Sequence, residues 1–281
     1  TLFGGEPLLF SGCVELVAYI KNKTMHCLLI TNGSLLEDHA EGLVNAGLDE
    51  LNLSLDGAQE LHDQIRGMPG LFERINKGLE KLNSCKARLG KNKPLINLQC
   101  TITKYNYEHL EQLTEVAQKI KANSLTFHNL IFLDRESLEE QKSFNKLLGS
   151  SSVDWEGFIF DPGIDPMLLD RKKKEILSRK YDFSLDFYPN FSCQELKDYY
   201  TNPCYHPPGQ NCRCVSPWLV AYVFPDGEVR PCLNFSYSFG NIKEGKFAII
   251  WNNDQAIQFR NTLKSNKIFP ACIRCTELYR Y

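Results

Sequence analysis

Leu51-Asn52-Leu53-Ser54-Leu55-Asp56 decides the fold. Apolar and polar residues alternate strictly, as in a strand with one buried face and one wet face. Ile96, Leu98, Cys100 and Ile102 alternate in the same way with Asn97, Gln99, Thr101 and Thr103, and Leu125 and Phe127 alternate with Ser124, Thr126 and His128. Working outward, the pattern predicts strands over Met25–Asn32, Glu50–Asp56, Leu95–Thr103 and Ser124–Phe132. Between them it predicts a helix over Leu35–Ala46 ended by Gly47, a helix with Phe72, Ile75, Leu79 and Leu82 on one face, and a stripe from Leu110 to Ile120. Such alternation of strands and helices implies parallel strands joined by crossover helices. A doubly wound sheet buries both faces, and its strands are apolar throughout. These strands keep a polar face, so a barrel with helices outside and a wet lumen fits better. An ordinary eight-fold barrel packs its interior with branched aliphatics, so a polar lumen implies an open or wide barrel. The alternative is an open sheet with helices on one side and solvent on the other.

Beyond Asp134 the pattern weakens. Leu138–Leu148 and Met167–Arg179 read as helices on either side of a Ser/Gly/Pro-rich stretch, and residues 191–209 read as a linker rich in Pro, Asn and Tyr. Leu219–Val223 and Val229–Cys232, joined by Pro225-Asp226-Gly227, read as a hairpin. A helix over Asn253–Leu263 follows. The expected organisation is a barrel over residues 1–190 and a small cysteine-rich domain over 191–281.

Lys plus Arg total 32 and Asp plus Glu 34, a formal net charge of −2. This balance gives no reason to expect nucleic acid or an anionic membrane as partner. The one dense basic run, Arg171-Lys172-Lys173-Lys174, reads as a solvated helix face. No apolar stretch approaches the ~18–20 residues that span a bilayer. The chain opens at Thr1 without an initiator methionine, and the expectation is a fragment whose targeting signals are not visible.

Eleven cysteines, an odd number, argue against a secreted disulfide framework and for a cytoplasmic protein. Cys13, Cys27, Cys85 and Cys100 stand singly and read as small buried hydrophobes. The other seven lie after residue 190. Among them Cys214, Cys232 and the pair Cys272-x-x-Cys275 have the spacing of soft-metal ligands, and spacing alone leaves zinc and an iron–sulfur cluster equally open. Cys193, Cys204 and Cys212 are spare thiols. His128 and His206 read as hydrogen-bonded side chains before ligands or bases, and Tyr199, Tyr200, Tyr205 and Trp218 as packing.

Gly4-Gly5-Glu6-Pro7 lies at a strand end where a helix begins, with glycines that admit a ligand to the backbone and a carboxylate able to receive an ammonium group. Thr31-Asn32-Gly33, Leu53-Ser54-Leu55-Asp56-Gly57 and His62-Asp63-x-x-Arg66-Gly67-x-Pro69-Gly70-x-Phe72 follow in order. Pro217-Trp218, Pro225-Asp226-Gly227, Pro231-Cys232, Gly240-Asn241-Ile242, Ile250-Trp251-Asn252, Phe259-Arg260 and Pro270-x-Cys272-x-x-Cys275 complete the series. Together these motifs resemble the radical S-adenosylmethionine (radical SAM) superfamily, in the branch with a C-terminal SPASM or half-SPASM domain. The resemblance implies an α/β fold: a partial (β/α)6 TIM-like barrel lacking its first unit, followed by a small cysteine-rich iron–sulfur domain. It implies that Gly4, Gly5 and Glu6 hold the amino group of SAM, that Ser54 and Asp56 lie near its ribose, and that Asn32 reaches the same pocket. Arg66 either stands on the catalytic face or, the favoured reading, pairs structurally with Asp63. Cys214, Cys232, Cys272 and Cys275 would ligate one auxiliary 4Fe–4S cluster.

The implied activity is generation of a 5′-deoxyadenosyl radical for hydrogen abstraction from a peptide or protein. A flavodoxin or ferredoxin would donate electrons, and the auxiliary cluster would take an electron from the substrate radical or hold the substrate. The alternative is a non-catalytic relative that binds a peptide through its cluster domain. Two departures stand out. The superfamily's C-x3-C-x2-C loop, which ligates the radical-generating cluster, has no counterpart among the 281 residues, so the chain as it stands is expected not to cleave SAM. A full SPASM domain continues with a cysteine where Tyr281 stands, and Leu233-Asn234 after Cys232 replace the Asp of anaerobic sulfatase-maturating enzymes, arguing against that activity.

Overall fold

The computed structural model describes residues 1–203, 205–207, 213–233 and 235–280. The spare thiols Cys204 and Cys212, and the readings at Asn234 and Tyr281, lie outside the described residues. The chain divides into two compact units, Thr1–Leu130 with Gly163–Ser192, and Ile131–Pro162 with Cys193–Tyr281.

The first unit is built on β1 (Leu28–Thr31), β2 (Glu50–Ser54), β3 (Leu95–Thr101), β4 (Ser124–His128) and β5 (Ser184–Tyr188). All are parallel and lie side by side in chain order, and Leu2 adds a parallel bridge to Leu29 on β1. α1 (Cys13–Asn22) precedes β1, and between the strands run α2 (Leu36–Ala46), α3 (Gln59–Arg66), α4 (Leu71–Arg88) and α5 (Glu111–Lys119). Right-handed crossovers place helices on both faces only where the strand order reverses. Here the order never reverses, so the helices gather on one face. There Leu29, Leu51, Leu53, Ile96, Leu98, Leu125 and Phe127 are fully buried. The opposite face stays polar and half-buried, as the alternation in β2, β3 and β4 anticipates. The result is a one-sided, barrel-like α/β fold.

β5 is a strand the sequence pattern missed. Ser184-Leu185-Asp186-Phe187-Tyr188 sits at the sheet edge with only Phe187 buried, so it carries little alternation signal.

Asp49, buried before β2, knits this unit together. It accepts from Lys21 Nζ at 2.5 Å, Lys93 Nζ at 2.7 Å and the Cys27 amide at 2.9 Å. Burial opposes its charge, but the two ammonium groups and the amide outweigh that and hold its carboxyl far below the usual range. A depressed folded-state pKa contributes stability that is present above the unfolded value of about 4 and is lost as acid protonates the group. Denaturant titrations between about pH 6 and pH 2 should therefore show Asp49→Asn flattening the acid limb of the stability profile. An unchanged acid slope would refute the assignment.

After α6 (Arg135–Leu148) and α7 (Val153–Glu156) in the second unit, the chain returns to the first for α8 (Pro166–Leu177) and β5. The second unit continues with α9 (Cys193–Thr201) and α10 (Ser216–Leu219), then an antiparallel sheet of β6 (Tyr222–Val223), β7 (Glu228–Arg230) and β8 (Gly240–Asn241). It ends with α11 (Phe247–Ile250), α12 (Asp254–Asn266) and the C-x-x-C turn. Two readings are corrected here. The expected linker contains α9, whose Leu196, Tyr199 and Tyr200 are buried at helical spacing. Leu219 closes a helical turn, not a strand, because Pro217 occupies a first-turn position where its missing amide costs nothing. The predicted hairpin turn stands, with the Gly227 amide donating to the Phe224 carbonyl at 2.8 Å.

The second unit's core is aromatic. Phe235, Tyr237, Phe239, Phe259 and Phe269 pack with Val229, Ile250 and Leu148. α6 belongs to this core: the Phe144 and Phe269 rings lie 5.2 Å apart, and Gln141 Oε1 accepts from the Ala271 amide at 3.2 Å. Among the described residues, no helix is long and apolar enough to cross a membrane.

Candidate functional site

The polar face of the first unit forms rows set by strand register. Asn52, Asn97, Ser124 and Ser184 share one row, and Ser54, Gln99, Thr126 and Asp186 the next. Thr101, His128 and Tyr188 follow toward the C-terminal strand ends. Ser54 and Asn97 therefore face the same way. The row nearer the strand starts is laced together: Asn97 Nδ2 donates to Glu50 Oε2 at 2.7 Å and Asn52 Oδ1 at 3.1 Å, and Ser124 Oγ donates to Asn97 Oδ1 at 2.9 Å. Farther along, His128 Nε2 lies 2.5 Å from Gln99 Oε1. Burial lowers the His128 pKa against the pull of Asp186.

Glu6 sits at the end of β1. Its Oε1 accepts from the Leu8 amide at 3.0 Å and Thr31 Oγ1 at 2.8 Å, and its Oε2 accepts from the Asn32 amide at 2.7 Å. The carboxylate thus caps the short 3₁₀ turn Pro7–Leu9 and locks it to the strand end, with one lone-pair direction of Oε2 left over. Gly4 and Gly5 are exposed, and a Cβ on either would meet nothing, so packing does not require glycine there. Gly4 holds φ +156°, a conformation L side chains rarely adopt. Asn32 spends its side chain on the turn, where Oδ1 accepts from the Ser34 amide at 2.8 Å. At Gly33, φ is +79° and a Cβ would approach Leu53 and Ile75 within 2.8 Å, so this turn requires glycine.

Asp56 lies just past β2 and is buried. Its Oδ2 meets Arg66 Nε at 2.7 Å, and its Oδ1 accepts from the Thr101 amide at 3.2 Å. This corrects the expected pairing of Arg66 with Asp63, whose carboxylate accepts from the Gly70 and Phe72 amides at 2.6 and 2.8 Å. His62, overlooked as a single residue in the sequence, is fully buried and accepts from the Asp56 amide through Nδ1 at 3.1 Å. Burial pushes its pKa down to about 4, so the ring is neutral at pH 7.

The second unit gathers the four predicted thiols. The Cys214 amide donates to the Lys267 carbonyl at 3.1 Å, at a residue held in strained left-handed backbone (φ +66°). Cys232 follows β7. The Cys272 amide donates to the Phe269 carbonyl at 2.8 Å and the Cys275 amide to the Cys272 carbonyl at 3.0 Å, closing the C-x-x-C turn. Burial raises the Cys272 thiol pKa far above its ordinary value, and Cys275, Cys232 and Cys214 raise it further. Burial pushes Cys275 up to about 12, with Cys214 contributing. Among the described residues, no group of three or more His, Cys, Asp or Glu side chains is placed to hold a metal ion. Thiols that oppose one another's ionisation become thiolates together only around positive charge, which a metal centre would supply.

Arg274, inside the C-x-x-C turn, went unnoticed in the sequence. Its guanidinium is buried over the rings of Phe132 at 4.3 Å and Tyr205 at 5.0 Å, and donates to the carbonyls of Tyr199 at 3.0 Å and Asn202 at 2.9 Å. Tyr199, Tyr200 and Tyr205 are packing residues, as read, whereas Trp218 is 39% exposed.

Known proteins sharpen the picture. Residues 1–117 match the Radical SAM superfamily and residues 212–276 the SPASM iron-sulfur cluster-binding domain, together more than half of the chain. Over 278 residues the chain is 26% identical to the AdoMet-dependent heme synthase of Methanosarcina barkeri, covering 98% of this chain and 73% of that protein. Fe-coproporphyrin III synthase from the same organism is 31% identical over 135 residues, 48% of this chain and 32% of its own. Among solved structures, SuiB of Streptococcus suis superposes with a TM-score of 0.62 at 15% identity over 97% of this chain and 60% of that one. anSMEcpe with bound AdoMet and a Cp18Cys peptide gives 0.54 at 21% identity, over 97% and 71%. The chain spans about a third of the Fe-coproporphyrin III synthase and 53% of SuiB in its S-adenosylmethionine-bound structure. SAM and iron–sulfur clusters are the cofactors typical of such proteins. With the one-sided parallel sheet, the ordered Gly-Gly-Glu-Pro and strand motifs, and the four gathered thiols, these matches mean that the chain belongs to the radical SAM superfamily and carries a C-terminal SPASM domain.

Proposed function

We propose that this chain is the SAM-facing and auxiliary-cluster part of a radical SAM enzyme acting on a peptide or protein. In this reading, the first unit is the partial six-unit barrel and the second its cluster domain, with residues 131–162 joining 193–281 in place of the expected division into 1–190 and 191–281. The four-thiol pocket carries the proposal. Cys214, Cys232, Cys272 and Cys275 would hold one 4Fe–4S cluster.

On the polar face, the exposed backbone of Gly4 and Gly5 would receive the SAM amino group. Glu6 would orient that backbone and offer its remaining lone pair, and Asn32 would set the turn beside it. Ser54 would face the ribose. Asp56 would act through structure, holding the end of β2 in place through Arg66 and Thr101. Bound there, with electrons from a flavodoxin- or ferredoxin-like donor, SAM would supply the radical chemistry for hydrogen abstraction from substrate.

A peptide substrate is supported by the solved neighbours: SuiB is known bound to its precursor peptide SuiA, and anSMEcpe with a peptide. The heme synthases favour a second reading, in which the substrate is a tetrapyrrole. Mass spectrometry of turnover with each class, by the same residues preceded by a C-x3-C-x2-C loop, separates the two.

The 281 residues contain no C-x3-C-x2-C spacing. Iron-loaded protein of this length should therefore release no 5′-deoxyadenosine with SAM and strong reductant. The same residues preceded by a strand and loop carrying C-x3-C-x2-C should release it. Reductive SAM cleavage by residues 1–281 alone would show that the radical-generating site has been misplaced. Silence of the longer, iron-loaded polypeptide would favour a non-catalytic peptide binder.

A further inference from the structure

A groove of about 420 Å³ opens in the second unit between residues 213–219 and the end of α12. Leu263 is buried at its floor, while Trp218 is 39% and Leu219 60% exposed on its wall. Arg213, Lys264 and Lys267 stand exposed around it, and among the described residues no carboxylate lines it. In a chain of net charge −2, three cations around an apolar hollow are a local departure from the whole.

We propose that this groove docks an acidic segment of the peptide substrate, with an apolar side chain seated against Trp218 and Leu219 and carboxylates facing Arg213, Lys264 and Lys267. The inference rests on the peptide reading above and adds the charge and place of the recognised segment. Concavity selects the occupant. A hollow of this volume is filled by side chains of an extended segment, whereas a folded redox protein presents a broad surface that leaves it empty. Trp and Arg are the side chains that most often anchor such contacts. Cys214 lines the same groove, so the docked segment would lie beside one of the four proposed cluster ligands.

The test is equilibrium fluorescence anisotropy with the anaerobically iron-loaded chain and a fluorescein-labelled synthetic peptide of alternating Glu and Leu. The peptide should bind and quench Trp218 emission, and about 0.5 M salt should weaken it roughly tenfold. Lys264→Glu with Lys267→Glu should weaken binding at least about tenfold, and a peptide with Lys in place of Glu should bind that variant better than it binds the parent. Trp218→Ala should cost about tenfold. Absence of binding, or binding indifferent to the charge reversal and to Trp218, overturns the proposal. So does a charge reversal that slows reduction by a flavodoxin while peptide binding is unchanged, which would assign the groove to the redox partner. Binding is read without turnover, so this outcome is independent of the deoxyadenosine test.

Discussion

Cys272→Ala will carry almost no iron after anaerobic reconstitution, against about four irons per chain in the parent. Burial raises the pKa of Cys272, and the other three thiols raise it further. Without it three of the four proposed ligands remain, and a site built around four thiolates should lose its cluster on reconstitution. Cys85→Ala, at a buried thiol on α4, should keep its full iron and brown colour. Iron and sulfide analysis of both proteins decides the matter. Stoichiometric zinc with no iron in the parent would overturn the cluster assignment, and full iron in Cys272→Ala would move it to other cysteines.

The second large effect is on stability. Asp56→Ala should destabilise the first unit by about 3 kcal/mol, the low end for breaking a buried ion pair, because Arg66 keeps 34% of its side chain exposed. The loss should appear as a melting midpoint lowered by about 6–12 °C. Asp56→Asn should cost less, since its amide oxygen still accepts from the Thr101 amide. The measurement also decides what Asp56 is for. An unchanged midpoint combined with lost SAM affinity in the longer polypeptide would make it a ligand contact, as the family resemblance suggests, instead of the strut its hydrogen bonds describe.

These contrasts show what a linear sequence carries. The one-sided sheet was legible because period-two alternation is local: Asn52, Asn97 and Ser124 each sit in a strand whose own pattern names the face. The C-x-x-C turn was legible because Cys272 and Cys275 stand one turn apart in the chain. The partner of Arg66 was not. Asp56 and Asp63 are both near in sequence, and the choice depends on the turn after β2 and on two amides at the start of α4 that claim Asp63 first. β5 was missed because an edge strand with one buried residue has almost no pattern, and α9 because Pro, Asn and Tyr around it resemble a linker. The cage around Arg274 joins residues from 132 to 274 that no short-range rule connects. His62 was invisible because a single histidine gives no sign of burial.

The position of α6 has a consequence for how the protein comes into being. Phe144 and Gln141 leave the ribosome well before Phe269 and Ala271, the partners they meet in the finished core. In the interval the chain delivers α8 and β5, so the sheet can receive its fifth strand while the cysteine-bearing unit still lacks its floor. The cysteine-bearing half therefore closes after the sheet during synthesis, once its C-x-x-C turn has emerged. For the same reason no single cut liberates this half intact: a polypeptide starting at Cys193 leaves behind the helix against which Phe269 packs.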